Sequence, residues 1–400
     1  MMARRKETPG IRAEPQIWST KELYMLNLQH RLLRTVVALS IVMPVAAVAA
    51  PAWGQETVFV MSNNAERNQV IAFERTNDGS YFEQSRFDTF GRGSGGVNDP
   101  LEAQGSLTLS PDHTLLYAAN AGSGDITVFR VQGKSLFVID KEPSGGSQPV
   151  SIAQWGNTVY VLNSGGAGSV VAFHVGHSGQ LHSISNATAF LSANATGGGS
   201  VSVSPDGQTV AVVERIANNI DTFHVNSDGT LGTAVVNPSQ GEGAFSARFA
   251  PDGKLIVSET GPASEPAGSA ISSYTVQANG KLAAVSQSVP TDGGANCWNA
   301  ISPDGTHVYA SNAGSSDIAG FTVSSAGALT PIAGTIVGAN PAGSTNLDIT
   351  VSGDGKFLYS LNGEVGTVGV FAIQPNGTLV EVTQIQGLPA AVGFNGIAAL

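Results

Sequence analysis

The stretch Ser302-Pro303-Asp304-Gly305-Thr306-His307-Val308-Tyr309-Ala310-Ser311-Asn312 decides the fold of this chain, because it recurs. Pro presets φ at the second position of a turn, Asp caps its own backbone, and Gly accepts positive φ, so the first four residues are a tight turn. The run behind the turn is a short strand ending in Tyr-x-x-Asn. Relatives of the turn stand at Ser110-Pro111-Asp112-His113, Ser204-Pro205-Asp206-Gly207, Ala250-Pro251-Asp252-Gly253 and Ser352-Gly353-Asp354-Gly355, with a degenerate copy at Ala153-Gln154-Trp155-Gly156. Further along each unit a second turn signal returns, in Asp228-Gly229, Asn279-Gly280, Ala326-Gly327 and Asn376-Gly377. Asn-Gly and Asp-Gly between apolar runs mark hairpins.

From Ser110 the six turn copies fall 43, 51, 46, 52 and 50 residues apart, the length of one four-stranded propeller blade. A seventh unit emerges when the two ends are read together. Residues 57–89 supply second, third and fourth strands without an inner one, and Phe394-Asn395-Gly396-Ile397-Ala398-Ala399 repeats the pattern of Cys297-Trp298-Asn299-Ala300-Ile301-Ser302. The expected fold is therefore all-β: a seven-bladed β-propeller of four-stranded blades over residues 55–400. The C-terminal strand supplies the inner strand of blade one, which closes the ring and leaves only short outer edges.

Composition agrees with many short strands joined by turns: 42% hydrophobic residues, 12% charged, 49 Gly and 19 Pro. Early in the chain, Arg31 and Arg34 precede an apolar run over 35–50 that ends in small residues, the pattern of a secretory signal peptide. At 16 residues, interrupted by Pro44, the run is short for a membrane span of roughly 20, so no membrane anchor is expected. Residues 1–24 read as a leader ahead of Met25, 25–54 as the signal peptide, and the product as exported to the periplasm or the medium. Beyond residue 54, the remaining 12 basic and 27 acidic residues leave a charge of −15, which argues against nucleic acid as a partner. A single cysteine, Cys297, excludes an intramolecular disulfide. Neither a cofactor nor a metal site is expected, and the protein is expected to be a monomer.

The turn series, the Tyr-x-x-Asn strand ends and the x-Gly-x-Leu hairpins together resemble the seven-bladed lactonase-like propellers, which include 6-phosphogluconolactonases and 3-carboxymuconate cyclases. The resemblance covers residues 57–400. It implies a hydrolase or cycloisomerase acting on a small lactone or sugar-derived ligand. The family's enzymes tend to carry His and Arg on inner strands, five residues before the turn Ser. Here those positions read Gly105, Gln148, Gly199, Phe245, Cys297 and Leu347, so that ionisable set does not carry over. An acidic, exported chain points instead to an unphosphorylated lactone. The same repeat is also similar to surface-layer propellers, which leaves a non-catalytic ligand- or protein-binding propeller as the alternative, with the loop 261–268 as its contact surface.

Because the chain contains seven versions of itself, departures from its own repeat are visible. The second strands end in Asn63, Asn120, Asn163, Glu214, Glu259, Asn312 and Asn362, so two adjacent blades replace Asn by Glu. Glu214 and Glu259 are candidate catalytic bases for activating water; equally, each Glu could accept the loop hydrogen bonds that Asn accepts elsewhere. Arg248 stands where the aligned copies hold Thr108, Ser151, Ser202, Ala300, Thr350 and Gly396. An Arg near the channel can polarise a lactone carbonyl or hold a carboxylate, and a buried ion pair is the alternative, with Asp348 as a candidate counter-charge. Trp298, Asp348 and Gln148 complete the expected substrate-contact set, Trp298 either stacking on a ligand ring or serving the core. The Gly91–Gly96 glycine run has no helix behind it, and His174, His177 and His182 flank a hairpin with no further ligand pattern.

Overall fold

The computed structural model describes residues 56–400; the expected leader and signal peptide lie outside the described residues. Among these, twenty-eight strands form seven four-stranded antiparallel sheets, the blades of a closed ring. Six blades use consecutive strands. Blade one joins Thr57–Met61, Gln69–Arg75 and Tyr81–Asp88 to the last strand, Ile397–Ala399, through Val58 opposite Ala399, Phe59 opposite Ala398 and Val60 opposite Ile397. The inner strands of blades two to seven are Leu107–Leu109, Pro149–Trp155, Gly198–Val203, Ala244–Phe249, Asn296–Ile301 and Asn346–Val351.

The turn residues do what their chemistry dictates. In the turns of blades two, six and seven the Ser hydroxyl donates to the Asp, at 2.6 Å for Ser110 and Asp112, 2.6 Å for Ser302 and Asp304, and 2.8 Å for Ser352 and Asp354. The same Asp accepts the amide two residues on, from Thr114, Thr306 and Lys356. The Tyr of Tyr-x-x-Asn stitches neighbouring blades. Tyr117, Tyr309 and Tyr359 are fully buried, and their hydroxyls reach Gln154 of blade three at 2.9 Å, Gly377 of blade seven at 3.0 Å and Glu56 of blade one at 3.1 Å. The last of these crosses the closure between blades seven and one. A buried Tyr needs such a partner for its hydroxyl while its ring fills the space between sheets.

Register corrects two of the sequence alignments. In blade three Trp155 pairs directly with Thr158, so two residues make the turn where blade four uses four, 205–208, between Ser204 and Thr209. The degenerate copy is thus two residues shorter. Ala153, not Ser151, occupies the place of Arg248, and Val150, not Gln148, is the counterpart of Phe245 at the bulge that interrupts each inner strand from blade three onward. In blade one, the Leu400 amide bonds the Thr57 carbonyl as the Ser110 amide bonds Leu115. That puts Ala398 rather than Gly396 at the Arg248 position, and Ser62 rather than Asn63 at the strand end.

Candidate functional site

One end of the central channel is stoppered by the chain itself. The segment 99–105, leading into blade two, crosses between the beginnings of the other inner strands. Its Gln104 amide donates to the Gly199 carbonyl of blade four at 2.9 Å. The Gln104 side chain donates to the Asn299 carbonyl of blade six and to Asp348 of blade seven, both at 3.0 Å. The Ala103 carbonyl accepts the Trp298 indole N–H at 2.9 Å, Glu102 pairs with Arg215 of blade four, and Asp99 accepts from Asn395 of blade one at 2.9 Å. These four blades, with blade three through Ser151 and Ile152, thus hold one short segment, and fully buried Ala103 and nearly buried Gln104 seal the channel at that end.

What remains open toward the turns is a cavity of about 250 Å³ lined by blades two to five, with Gln104 and Gly105 as its floor and Thr108, Ser200, Ser202, His113 and Arg248 on its walls. Ser200 and Ser202 accept the amides of Ala247 at 2.8 Å and Phe249 at 3.1 Å. An hydroxyl is one donor with two acceptor sites, so both keep their proton to donate to a ligand. Arg248 makes no hydrogen bond with any described residue, and its Nε is buried without a partner. Its guanidinium is the one fixed cation among the described lining residues. Burial pulls its pKa down, and the Asp348 charge pulls it up. Asp348 is itself buried. Desolvation pushes its acid up to about 6, against the Arg248 charge and hydrogen bonds from the Ile349 amide, Gln104 and the Ile397 amide. Arg248 and Asp348 thus act on one another through space, without a direct contact.

Glu214 and Glu259 do not line this cavity. Both are fully buried at the far ends of their second strands. Glu214 accepts from the Ser192 hydroxyl at 2.5 Å, the Ser192 amide at 3.0 Å and Thr196 at 2.8 Å. The same Ser192 amide also donates to Asp221 at 2.9 Å, and burial together with the neighbouring Glu214 carboxylate pushes the Asp221 acid up to about 7. Glu259 accepts from Ser272 at 2.7 Å, the Gly241 amide at 2.9 Å and Ser239 at 3.1 Å through one oxygen, while Oε2 is buried without a partner. These bonds fasten the segments that link one blade to the next. Asn120 does the same work in blade two, accepting from Thr89 at 2.8 Å and Asn68 at 2.9 Å. Trp298 is fully buried, edge-on to Phe245 at 5.1 Å between ring centres. Gln148 sits half-buried at φ 56 just before its strand, its carbonyl accepting the Ser164 amide. Of the six residues singled out from the sequence, Arg248 alone lines the cavity; Asp348 is buried behind its floor, bonded to Gln104, and the other four lie away from it.

The family described as "Lactonase, 7-bladed beta-propeller" matches residues 54–194, 167–298 and 299–393. The chain belongs to this lactonase family. Solved structures with the same fold include a candidate 6-phosphogluconolactonase from Bacteroides uniformis ATCC 8492, 17% identical with a TM-score of 0.66 over 86% of this chain and 99% of that one. A second, from Bacteroides fragilis NCTC 9343, is 16% identical with a TM-score of 0.62, over 88% and 99%. The periplasmic gluconolactonase PpgL of Pseudomonas aeruginosa is 19% identical with a TM-score of 0.61, over 86% and 99%. At such identities the likeness is one of fold. No curated protein matches the chain.

In this lactonase-family propeller, bulge residues Phe245 and Cys297 are buried at the stoppered end of the channel, where burial also pushes the Cys297 thiol upward. Two features of the cavity escaped the sequence reading. The stopper has no motif of its own, since it is built from single contacts to residues scattered along the chain on different blades. His113 did leave a signal: it replaces the glycine that closes the turns at Gly207, Gly253, Gly305 and Gly355.

Proposed function

We propose that this chain is an exported lactonase that hydrolyses a small unphosphorylated lactone in the blind end of its channel, with Arg248 polarising the carbonyl. What supports it above all is the Arg248 guanidinium, held without a hydrogen-bond partner in a polar cavity of about 250 Å³. Water attack on a lactone carbonyl gathers negative charge on the carbonyl oxygen. A guanidinium already desolvated and aimed at that oxygen stabilises the charge without having to reorganise. At ~30 Å³ per water, the cavity holds roughly eight waters or one monosaccharide-sized ring. The Gln104 amide and the Ser200 and Ser202 hydroxyls suit the hydroxyls of such a ring. A phosphoryl group, at about −2 charge, would face a single fixed cation whose charge Asp348 already offsets. Export rests on the signal-peptide pattern at 25–54.

The test is hydrolysis of matched aldonolactones with and without a 6-phosphate, followed by acid release at constant pH. A preference of at least about tenfold in kcat/KM for the unphosphorylated substrate is expected, and a preference for the phosphorylated one overturns the assignment. Export is tested on the full chain in cells: the expected product is a shortened protein beginning near Gln55 in the exported fraction, and a full-length cytosolic product contradicts it.

A further inference from the structure

Two departures from the repeat meet at the mouth of the cavity. The four-residue turns close with Gly207, Gly253, Gly305 and Gly355, and blade two alone replaces this glycine, with His113. The position still demands its left-handed backbone: His113 is held at φ 57, close to the φ 71 of Gly207 and Gly305. A β-carbon disfavours that conformation, so the imidazole is kept there against local preference. The second position of the same turns is Pro111, Pro205, Pro251 and Pro303, and blade seven alone has Gly353. The two exceptions touch. A Cβ built on Gly353 would lie 2.7 Å from His113 Cε1, so the missing side chain in blade seven makes the berth for the extra one in blade two. Blade one, which lies between them, has no such turn, since its inner and second strands come from opposite ends of the sequence. His113 therefore reaches across an open sector of the rim.

His113 is also among the residues that line the cavity holding Arg248. The ring is exposed, and its nitrogens make no hydrogen bond with any described residue. Among the described lining residues it is the one imidazole, whose free ring nitrogen can accept a proton from water. Asp348 is buried, with its oxygens engaged by Gln104 and two backbone amides, and Glu214 and Glu259 lie outside the cavity.

Building on the lactonase reading above, we infer that His113 is the general base of ring opening. The neutral imidazole takes one proton from water as the water oxygen bonds to the lactone carbonyl carbon, whose oxygen becomes an oxyanion facing Arg248. The intermediate then collapses, the bond from carbonyl carbon to ring oxygen breaks, and the imidazolium returns its proton to that oxygen. One water is consumed, and the product hydroxy acid releases its carboxyl proton to solvent.

The experiment compares wild type, His113→Gly and Gly353→Pro. Both substitutions restore the residue that the other turns carry, so both are expected to fold at least as stably as wild type. His113→Gly should lower kcat about 10²-fold or more with KM changed less than about threefold, abolish the acid limb of the kcat profile, and recover part of its rate when imidazole is added. Gly353→Pro, which crowds the ring from its berth, should lower kcat by about tenfold with His113 still present. Wild-type kcat and pH profile in His113→Gly, or a loss that imidazole does not restore, overturns the base assignment while leaving the lactonase reading standing. A wild-type protein that opens no lactone overturns that reading instead, and the base assignment with it.

Discussion

Deleting residues 394–400 should open the ring, and the cost can be worked from the contacts. Phe394 and Ile397 are 3% and 4% exposed and pack into a core shared by blades one, six and seven. Truncating such side chains costs about 3–5 kcal/mol for Phe and about 2–5 kcal/mol for Ile. The deletion also removes three backbone hydrogen bonds to blade one, Met61 to Gly396, Asn395 to Met61 and Leu400 to Thr57, at about 1 kcal/mol each. It bares the Thr57–Met61 strand, every residue of which is buried. Freed chain entropy of about 1–2 kcal/mol per residue is of the same size as these contact terms, so the net loss rests on the buried strand that the deletion bares, and an unfolding midpoint below that of wild type is expected. Because the offset does not apply to point substitutions, Phe394→Ala and Ile397→Ala should each show their full cost in urea unfolding followed by tryptophan fluorescence. A deletion variant that unfolds at the wild-type midpoint would refute the closure.

Asp221→Asn should alter the pH dependence of stability. Asp221 holds its proton in the fold up to about pH 7, whereas the unfolded acid loses it near 3.8, so wild-type stability falls as pH rises through that interval. Asn keeps the donor that the protonated acid offers Glu214, so the variant should lack this decline and be the more stable above pH 7, by about 2–4 kcal/mol; unfolding curves at pH 5 and pH 8 that shift alike in both proteins contradict this. Trp298→Ala should cost about 3–5 kcal/mol and free the stopper at Ala103, read as faster amide hydrogen exchange over 99–105; unchanged exchange there would separate Trp298 from the stopper.

The architecture was legible because the same turn chemistry is written into the chain again and again, and even the closure followed from the matching ends. Alignment failed where a copy lost residues. The two-residue turn at Trp155 moved Ala153 into the Arg248 position, and nothing in a local pattern announces a shortened turn. Arg248 and Asp348 stood out as charges on inner strands; Arg248 lines the cavity, and Asp348 is buried behind its floor against Gln104. Glu214 and Glu259 stood out equally, yet their oxygens hold Ser192, Thr196, Ser239 and Ser272 where Asn holds loops in other blades. A sequence shows that a residue type changed, and burial decides what the change is for. The stopper was illegible for another reason: Gln104 binds mostly main-chain partners on distant blades, and such contacts depend on the ring being closed.

Arg248 carries the central claim, and its removal tests that claim most directly. Turnover of an unphosphorylated lactone should be compared between wild type and Arg248→Ala at matched folded concentration, with unfolding midpoints recorded for both. Loss of one oxyanion-stabilising donor is expected to lower kcat about 10²–10³-fold, a loss in the folded protein that is separate from any lowering of the midpoint caused by leaving buried Asp348 without its counter-charge. An Arg248→Ala protein that opens the lactone at the wild-type rate would contradict the account.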